Sequence, residues 1–174
     1  YDTEGDNYLG GKNLDEALVD NILIPYLSEN FAIDDILNDN DKKQALREAM
    51  KTYAEEIKNE LSFKDHYDLY TDPGDLCEDE NGDDINLDLT LTQQQVNDIF
   101  IPIFQKAVDI CKKLIERNHL CGNQIDKLIL VGGPTHSPLI RKMLREQITD
   151  NVDFSQDPMT VVAKGAALFA STIT

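Results

Sequence analysis

Between residues 42 and 61 apolar side chains return every three or four positions, at Leu46, Ala49, Met50, Tyr53, Ile57 and Leu61. That spacing puts them on one face and predicts an amphipathic helix. An earlier helix is expected from Asn13, which can cap it, with Asp15 and Glu16 suited to its positive end. Leu14, Leu18, Ile22 and Tyr26 form its apolar stripe, and Pro25 predicts a bend. Residues 30–40 read as a loop or short turn. A strand is expected over 63–70, followed by an exposed acidic loop over 71–84 that contains Pro73, Gly74 and Gly82. Ile85, Leu87, Leu89 and Leu91 alternate with polar residues, the mark of a half-buried antiparallel strand.

Thr92 followed by Gln95 predicts a capping box that opens a long helix to about Arg117. Its inner face would carry Val96, Ile99, Phe100, Ile103, Ala107, Cys111 and Leu114, interrupted at Pro102. The last third changes character. Residues 128–131 (LILV) are a continuous apolar run ending in Gly132–Gly133, which fits a strand buried on both faces of a largely parallel sheet. A helix over 139–148 follows, and Asp157–Pro158 signals a terminal helix through Val161, Ala166, Leu168 and Ala170. The pattern is that of an α/β base with a helix-and-hairpin unit inserted into it.

The composition narrows the function classes. Thirty-three acidic residues face 16 basic ones, a net charge of −17. Phosphate backbones are held by clustered Lys and Arg, so a general nucleic-acid surface is excluded, as is docking on an anionic membrane. No run of about 18 apolar residues offers a membrane span. Cys77, Cys111 and Cys121 are odd in number and lie in no ligand spacing, so they read as unpaired thiols. His66, His119 and His136 are scattered, and the 75–84 loop lacks the distal Glu of an EF-hand, so no metal site is expected. No catalytic set can be nominated.

Three places could carry chemistry. The run 128–138 (LILVGGPTHSP) takes a strand into two glycines and then a helix, which lets backbone N–H groups approach a nucleoside or phosphate. Gly10–Gly11 precedes another helix start, a place suited to an anion. Glu55, Lys58, Asn59 and Ser62 share one face of the amphipathic helix and could hold a ribose or base. Each taken alone reads more readily as a plain turn or a solvated helix face.

In order, however, the segments 5–19 (GDNYLGGKNLDEALV), 53–62 (YAEEIKNELS), 128–144 (LILVGGPTHSPLIRKML) and 157–171 (DPMTVVAKGAALFAS) resemble the heat-shock protein 70 (DnaK-like) chaperone family over nearly the whole chain. The resemblance implies an α/β fold: lobe II of an actin-like, ribonuclease H-like ATPase domain with an inserted helix-and-antiparallel-strand subdomain. The lower subdomain would comprise 1–30 and 92–174, and the upper one 31–91. It also implies that Gly10 and Gly11, and Gly132 and Gly133 with Thr135 after them, meet the ribose and phosphates of ATP or ADP, while Glu55, Lys58 and Ser62 close over adenosine. Implied partners are a nucleotide exchange factor, J-domain cochaperones and unfolded clients, in a cytoplasmic setting.

The departures from that family are specific. Asn59 and His136 stand where the family carries two arginines that sandwich adenine, Pro134 replaces a hydroxyl residue, and Met159 stands where Asp is usual. Neither Asn nor imidazole offers a guanidinium plane, so weaker or altered nucleotide binding is expected. The family's phosphate loops, magnesium-positioning acids and catalytic Lys lie ahead of the GD..LGG turn. The parent is thus expected to be an ATPase that uses Mg2+, while this stretch alone should be catalytically silent and hold no nucleotide tightly. A second reading is a degenerate ATPase lobe serving as a docking module for exchange factors or other partners.

Overall fold

The computed structural model describes every residue except Tyr1, Asn7, Tyr8, Phe154, Gln156, Pro158 and Thr174. Its contacts group the chain into two units, Lys12–Phe100 and Tyr1–Gly11 with Ile101–Thr174. Residues 12–30 and 92–100 therefore group with 31–91.

In the first unit α1 (Gly11–Leu18) runs through a π-helical turn (Val19–Leu23) into α2 (Ile24–Asn30). Of the expected stripe Leu14 and Leu18 are buried, but Ile22 and Tyr26 are only half-buried: the core takes Leu14, Leu18, Val19, Leu23 and Leu27. The π turn explains the difference. It adds one residue to the repeat, as the bond from Ile24 N–H to Val19 O records, and rotates the later stripe by one position. Pro25 is the second residue of α2, directly after the π turn, so its missing N–H falls where the helical repeat already changes. Within 30–40, read as a loop, lies a short helix, α3 (Asp34–Asn38).

The long helix α4 (Asn40–Glu60) is capped by Asp39, whose carboxylate accepts from the N–H groups of Asp41 and Lys42. It buries Leu46, Met50, Ala54 and Ile57, with Leu61 just beyond its end. Ala49, expected inside, is exposed, and Tyr53 is half-buried. The inner seam advances 46–50–54–57–61. β1 (His66–Tyr70) and β2 (Asp88–Thr92) pair antiparallel with Leu69 opposite Leu89. β1 starts three residues later than expected, because residues 61–63 form the turn that ends α4.

The acidic loop between the strands is exposed but tethered. Asp79 accepts from the N–H groups of Ala32, Asn81 and Asp83, and Glu80 accepts from Asp35 N–H. Those backbone donors hold the Asp79 carboxyl below the usual carboxylate range, although desolvation opposes them as the largest single influence.

α5 (Gln93–Arg117) opens with the expected capping box: Thr92 N–H donates to the Gln95 amide oxygen at 2.8 Å, and Gln95 N–H to the Thr92 hydroxyl at 3.3 Å. The helix continues through Pro102, which is exposed. Its buried seam is Val96, Phe100, Phe104 and Val108, a strict four-residue step, whereas Ile99, Ile103, Ala107, Cys111 and Leu114 are half-buried flanks.

α5 ends in a left-handed cap at His119 (φ 55°): His119 N–H bonds Glu116 O and Leu120 N–H bonds Ile115 O. That pattern normally uses glycine, because a β-carbon is crowded at positive φ. His119→Gly should therefore raise the unfolding free energy by about 0.5–1 kcal/mol. Thermal melts check this; a loss of stability would show that the imidazole contributes more than the strain it causes.

In the second unit Arg117 ties down the N-terminal stretch. Its guanidinium makes a two-pronged pair with Asp2 (2.8 Å each) and donates to Glu4 at 2.6 Å and Thr3 O at 2.9 Å. The Arg117 bond holds the exposed Asp2 carboxyl below its ordinary value. After a 3-10 turn at Gly122–Gln124, β3 (Leu128–Ile129) pairs in parallel with β4 (Val152–Asp153), and α6 (Pro138–Gln147) lies between them in sequence. The parallel pairing agrees with the apolar run. Burial on both faces does not: among the described residues the sheet has two strands, and Ile129 and Val131 are exposed. Gly122 is obligatory, since a β-carbon there would collide with the Ile148 carbonyl oxygen.

The terminal helix α7 (Val161–Ser171) starts three residues after Pro158, which lies outside the described residues. Asp157 organises its approach, accepting from Met159 N–H and the Thr160 hydroxyl. No residue of α7 is buried, and Leu168 and Phe169 are exposed.

Candidate nucleotide site

The residues singled out from sequence fall into two groups, one in each unit. In the first unit Glu55, Lys58 and Asn59 lie in the last two turns of α4, and Ser62 in the turn beyond. The end of that helix is fixed by Gln93, whose amide donates to Leu61 O at 2.8 Å. The Ser62 hydroxyl donates to Lys58 O at 2.7 Å, which leaves its oxygen able to accept.

Glu55 and Asn59 are exposed, but Lys58 is turned inward rather than standing in an exposed row. Its ammonium pairs with Asp15 of α1 at 2.6 Å, and both side chains are only 13% exposed. Burial pushes the Asp15 carboxyl up from its ordinary value, against the downward pull of the Lys58 hydrogen bond and charge; the nearby Glu55 and Glu16 charges raise it further. Sequence reasoning placed Asp15 at a helix start for its charge and missed this pairing. The available signal was spacing: Asp15 lies three and four residues ahead of Leu18 and Val19, both buried, and so shares their face.

In the second unit Gly10 forms a bend and Gly11 begins α1. Gly132 has φ 96°, a conformation that disfavours any side chain, and it leads into the 3-10 turn Gly133–His136. The Thr135 N–H and hydroxyl both donate to Gly132 O (3.1 and 2.6 Å), and Arg141 Nε donates to Thr135 O at 2.6 Å. The Thr135 hydroxyl hydrogen is thus engaged inside the turn. Pro134 occupies the turn's second position, and its carbonyl accepts from Ser137 N–H.

Gly133 is exposed, and a β-carbon there would lie 3.7 Å from the Met159 sulfur, so the structure brings together two positions that sequence alone related only through the resemblance. Asp157 is held below the ordinary carboxylate range, chiefly by the Met159 N–H, with His136 a minor contributor. Among the described residues no group of three His, Cys, Asp or Glu side chains could hold a metal ion.

The family model for Hsp70 protein matches residues 1–174. The chain belongs to the Hsp70 family. It is 32% identical over 171 residues to the chaperone protein DnaK of Nitrosopumilus maritimus, covering 98% of this chain and 26% of that protein. The DnaK of Methanothermobacter thermautotrophicus is 32% identical over 169 residues, covering 95% of this chain and 26% of its own length. The DnaK of Picrophilus torridus is 31% identical with the same coverage. This Hsp70-family chain thus spans about a quarter of the length of these curated relatives. Membership brings the actin-like ATPase fold, consistent with the mixed helices and strands described above, and places the chain within the nucleotide-binding domain of an Hsp70/DnaK chaperone. No described helix is long and apolar enough to cross a membrane.

Proposed function

We propose that the chain is lobe II, the adenosine-side lobe, of that nucleotide-binding domain, with a lower subdomain of 1–30 and 92–174 and an upper one of 31–91. The observation that carries the reading is the end of α4. Lys58 is held with one of its three N–H donors on Asp15, so two remain for the oxygens of a ribose, and the Glu55 carboxylate stands one turn away. In the other unit the turn at Gly132–Gly133 offers backbone N–H groups free of β-carbon bulk, suited in themselves to phosphate oxygens.

The residues present fit the ribose and phosphate parts of ATP or ADP better than the adenine. Asn59 and His136 provide polar edges in place of the two guanidinium planes. When bound, the nucleotide supplies the phosphoryl group whose transfer the parent performs with Mg2+. This chain's residues bind and orient the adenosine end. Phosphoryl transfer depends on positioning and charge stabilisation, and the groups carried here supply little of either at the γ-phosphate. Nucleotide exchange factors and J-domain cochaperones are the expected partners, with unfolded clients bound outside this chain, in the cytoplasm.

A second reading, a lobe that mainly docks partners, is favoured by one feature. A cavity of about 460 Å3 lies between α3, α4 and the acidic loop, with Ile36, Leu46 and Leu76 on its lining and Asp35, Asp75 and Glu78 around them.

Amide chemical shifts of this chain's residues, followed during an ADP titration of the parent protein that carries both lobes, separate the two readings. The adenosine-side reading expects saturable movement at Glu55, Asn59, Gly132 and Gly133. Movement confined to the α3–α4 cavity, or none, would contradict it.

A further inference from the structure

We infer that Asp15 is a positioning residue for the nucleotide's ribose: it aims the Lys58 ammonium, and the affinity contributed by the ribose hydroxyls depends on it. The inference rests on the adenosine-side reading above.

The physical case begins with entropy. A lysine side chain has four rotatable bonds, and an unrestrained one must be ordered at the moment of binding. Lys58 is already ordered. Its ammonium sits 2.6 Å from a carboxylate on a different helix, and only 13% of either side chain is exposed. Neither partner is an incidental surface charge. Asp15 lies between the buried Leu14 and the apolar seam of α1, and Lys58 follows Ile57, which is completely buried in α4. The backbones that carry the two groups are therefore fixed by core packing.

α4 is itself pinned at both ends, by the Asp39 cap and by the Gln93 amide on Leu61 O. With the ammonium nitrogen located, its remaining two N–H bonds point in limited directions. Charge-assisted hydrogen bonds from a pre-ordered donor contribute more to affinity than those from a mobile one.

The pair also keeps Lys58 from the neighbouring acids. Glu55 is one turn away on α4 and Glu16 adjoins Asp15 on α1, and both charges are felt at the Asp15 carboxyl. Without Asp15 the ammonium would be drawn to whichever of these is nearer. Glu16 is already committed to Lys51 at 3.4 Å, which leaves Glu55 as the competitor. A Lys58–Glu55 pair, three residues apart on one helix face, would engage two ribose-facing groups with each other.

The test is Asp15→Asn in the parent protein that carries both lobes; the change keeps shape and a hydrogen-bond acceptor but removes the charge. ADP and 2′,3′-dideoxy-ADP are titrated calorimetrically into wild type, Asp15→Asn, Lys58→Ala and the double variant. The expected result is an affinity for ADP about tenfold lower in Asp15→Asn, little change for the dideoxy nucleotide, and no further loss when Asp15→Asn is added to Lys58→Ala. A purely structural role would weaken both nucleotides alike, and that outcome overturns the inference. So does an additive double variant. ADP binding unchanged in Asp15→Asn overturns the inference alone, whereas a wild type that binds neither nucleotide overturns the adenosine-side reading and the inference with it.

Discussion

Ile57→Ala is expected to lower the unfolding free energy by about 3 kcal/mol, within the range of 2–5 kcal/mol for deleting a buried aliphatic side chain. Ile57 is completely buried in the unit formed by Lys12–Phe100, on the seam that also holds Met50 and Ala54. Removing three carbons leaves a void that rigid neighbours cannot close, because α4 is capped at Asp39 and held at Leu61. A loss of this size is a large share of the roughly 5–15 kcal/mol that holds a domain together. Urea denaturation of both proteins measures it. Ala49→Ser serves as the control: Ala49 is exposed, and the change should stay within about 0.5 kcal/mol. A loss below about 1 kcal/mol for Ile57→Ala would mean that α4 is packed differently.

The second large effect concerns the adenine positions. Asn59→Arg together with His136→Arg should raise ADP affinity roughly tenfold to a hundredfold. A guanidinium over an aromatic face contributes about 0.5–1 kcal/mol when exposed and about 2 kcal/mol or more when desolvated. Asn59 is exposed on the last turn of α4, so the longer side chain meets no core there. His136 ends the 3-10 turn and is half-buried. The gain should require the aromatic base, so ribose 5-diphosphate, which lacks it, serves as a comparison: an equal gain for both would reflect added positive charge on an acidic protein rather than a restored clamp. No gain at all would mean that these positions do not face the base.

The family was legible because four segments kept their order and spacing, although none is a strong motif alone. Local structure was legible where one period persisted. α4 and the capping box at Thr92 follow from periodicity and one side-chain pair. The stripe of α1 and α2 was misread from Ile22 onward because a π turn changes the phase by one residue, and no propensity marks that turn. On α5 the wide apolar band hid the true seam: eight or more apolar residues fit several faces, and only packing selected Phe104 and Val108.

The strand over 128–131 was overextended because an apolar run marks low polarity, while the ladder needs a partner, and β4 supplies only Val152 and Asp153. At the candidate site, sequence located the glycines and the α4 row by likeness alone. It could not show that Lys58 turns inward, since a charged residue at helical spacing gives no sign of where its flexible chain points. That orientation comes from Asp15, 43 residues away in sequence.

Calorimetric titration of ADP into the wild-type parent protein, which carries this lobe together with the phosphate-binding one, tests the adenosine-side assignment most directly. One-to-one saturable binding with a dissociation constant between about 1 µM and 1 mM is the predicted result, weakened by Asn59 and His136 but retained through Lys58, Glu55 and the Gly132–Gly133 turn. An absence of saturable heat up to about 1 mM ADP would contradict it.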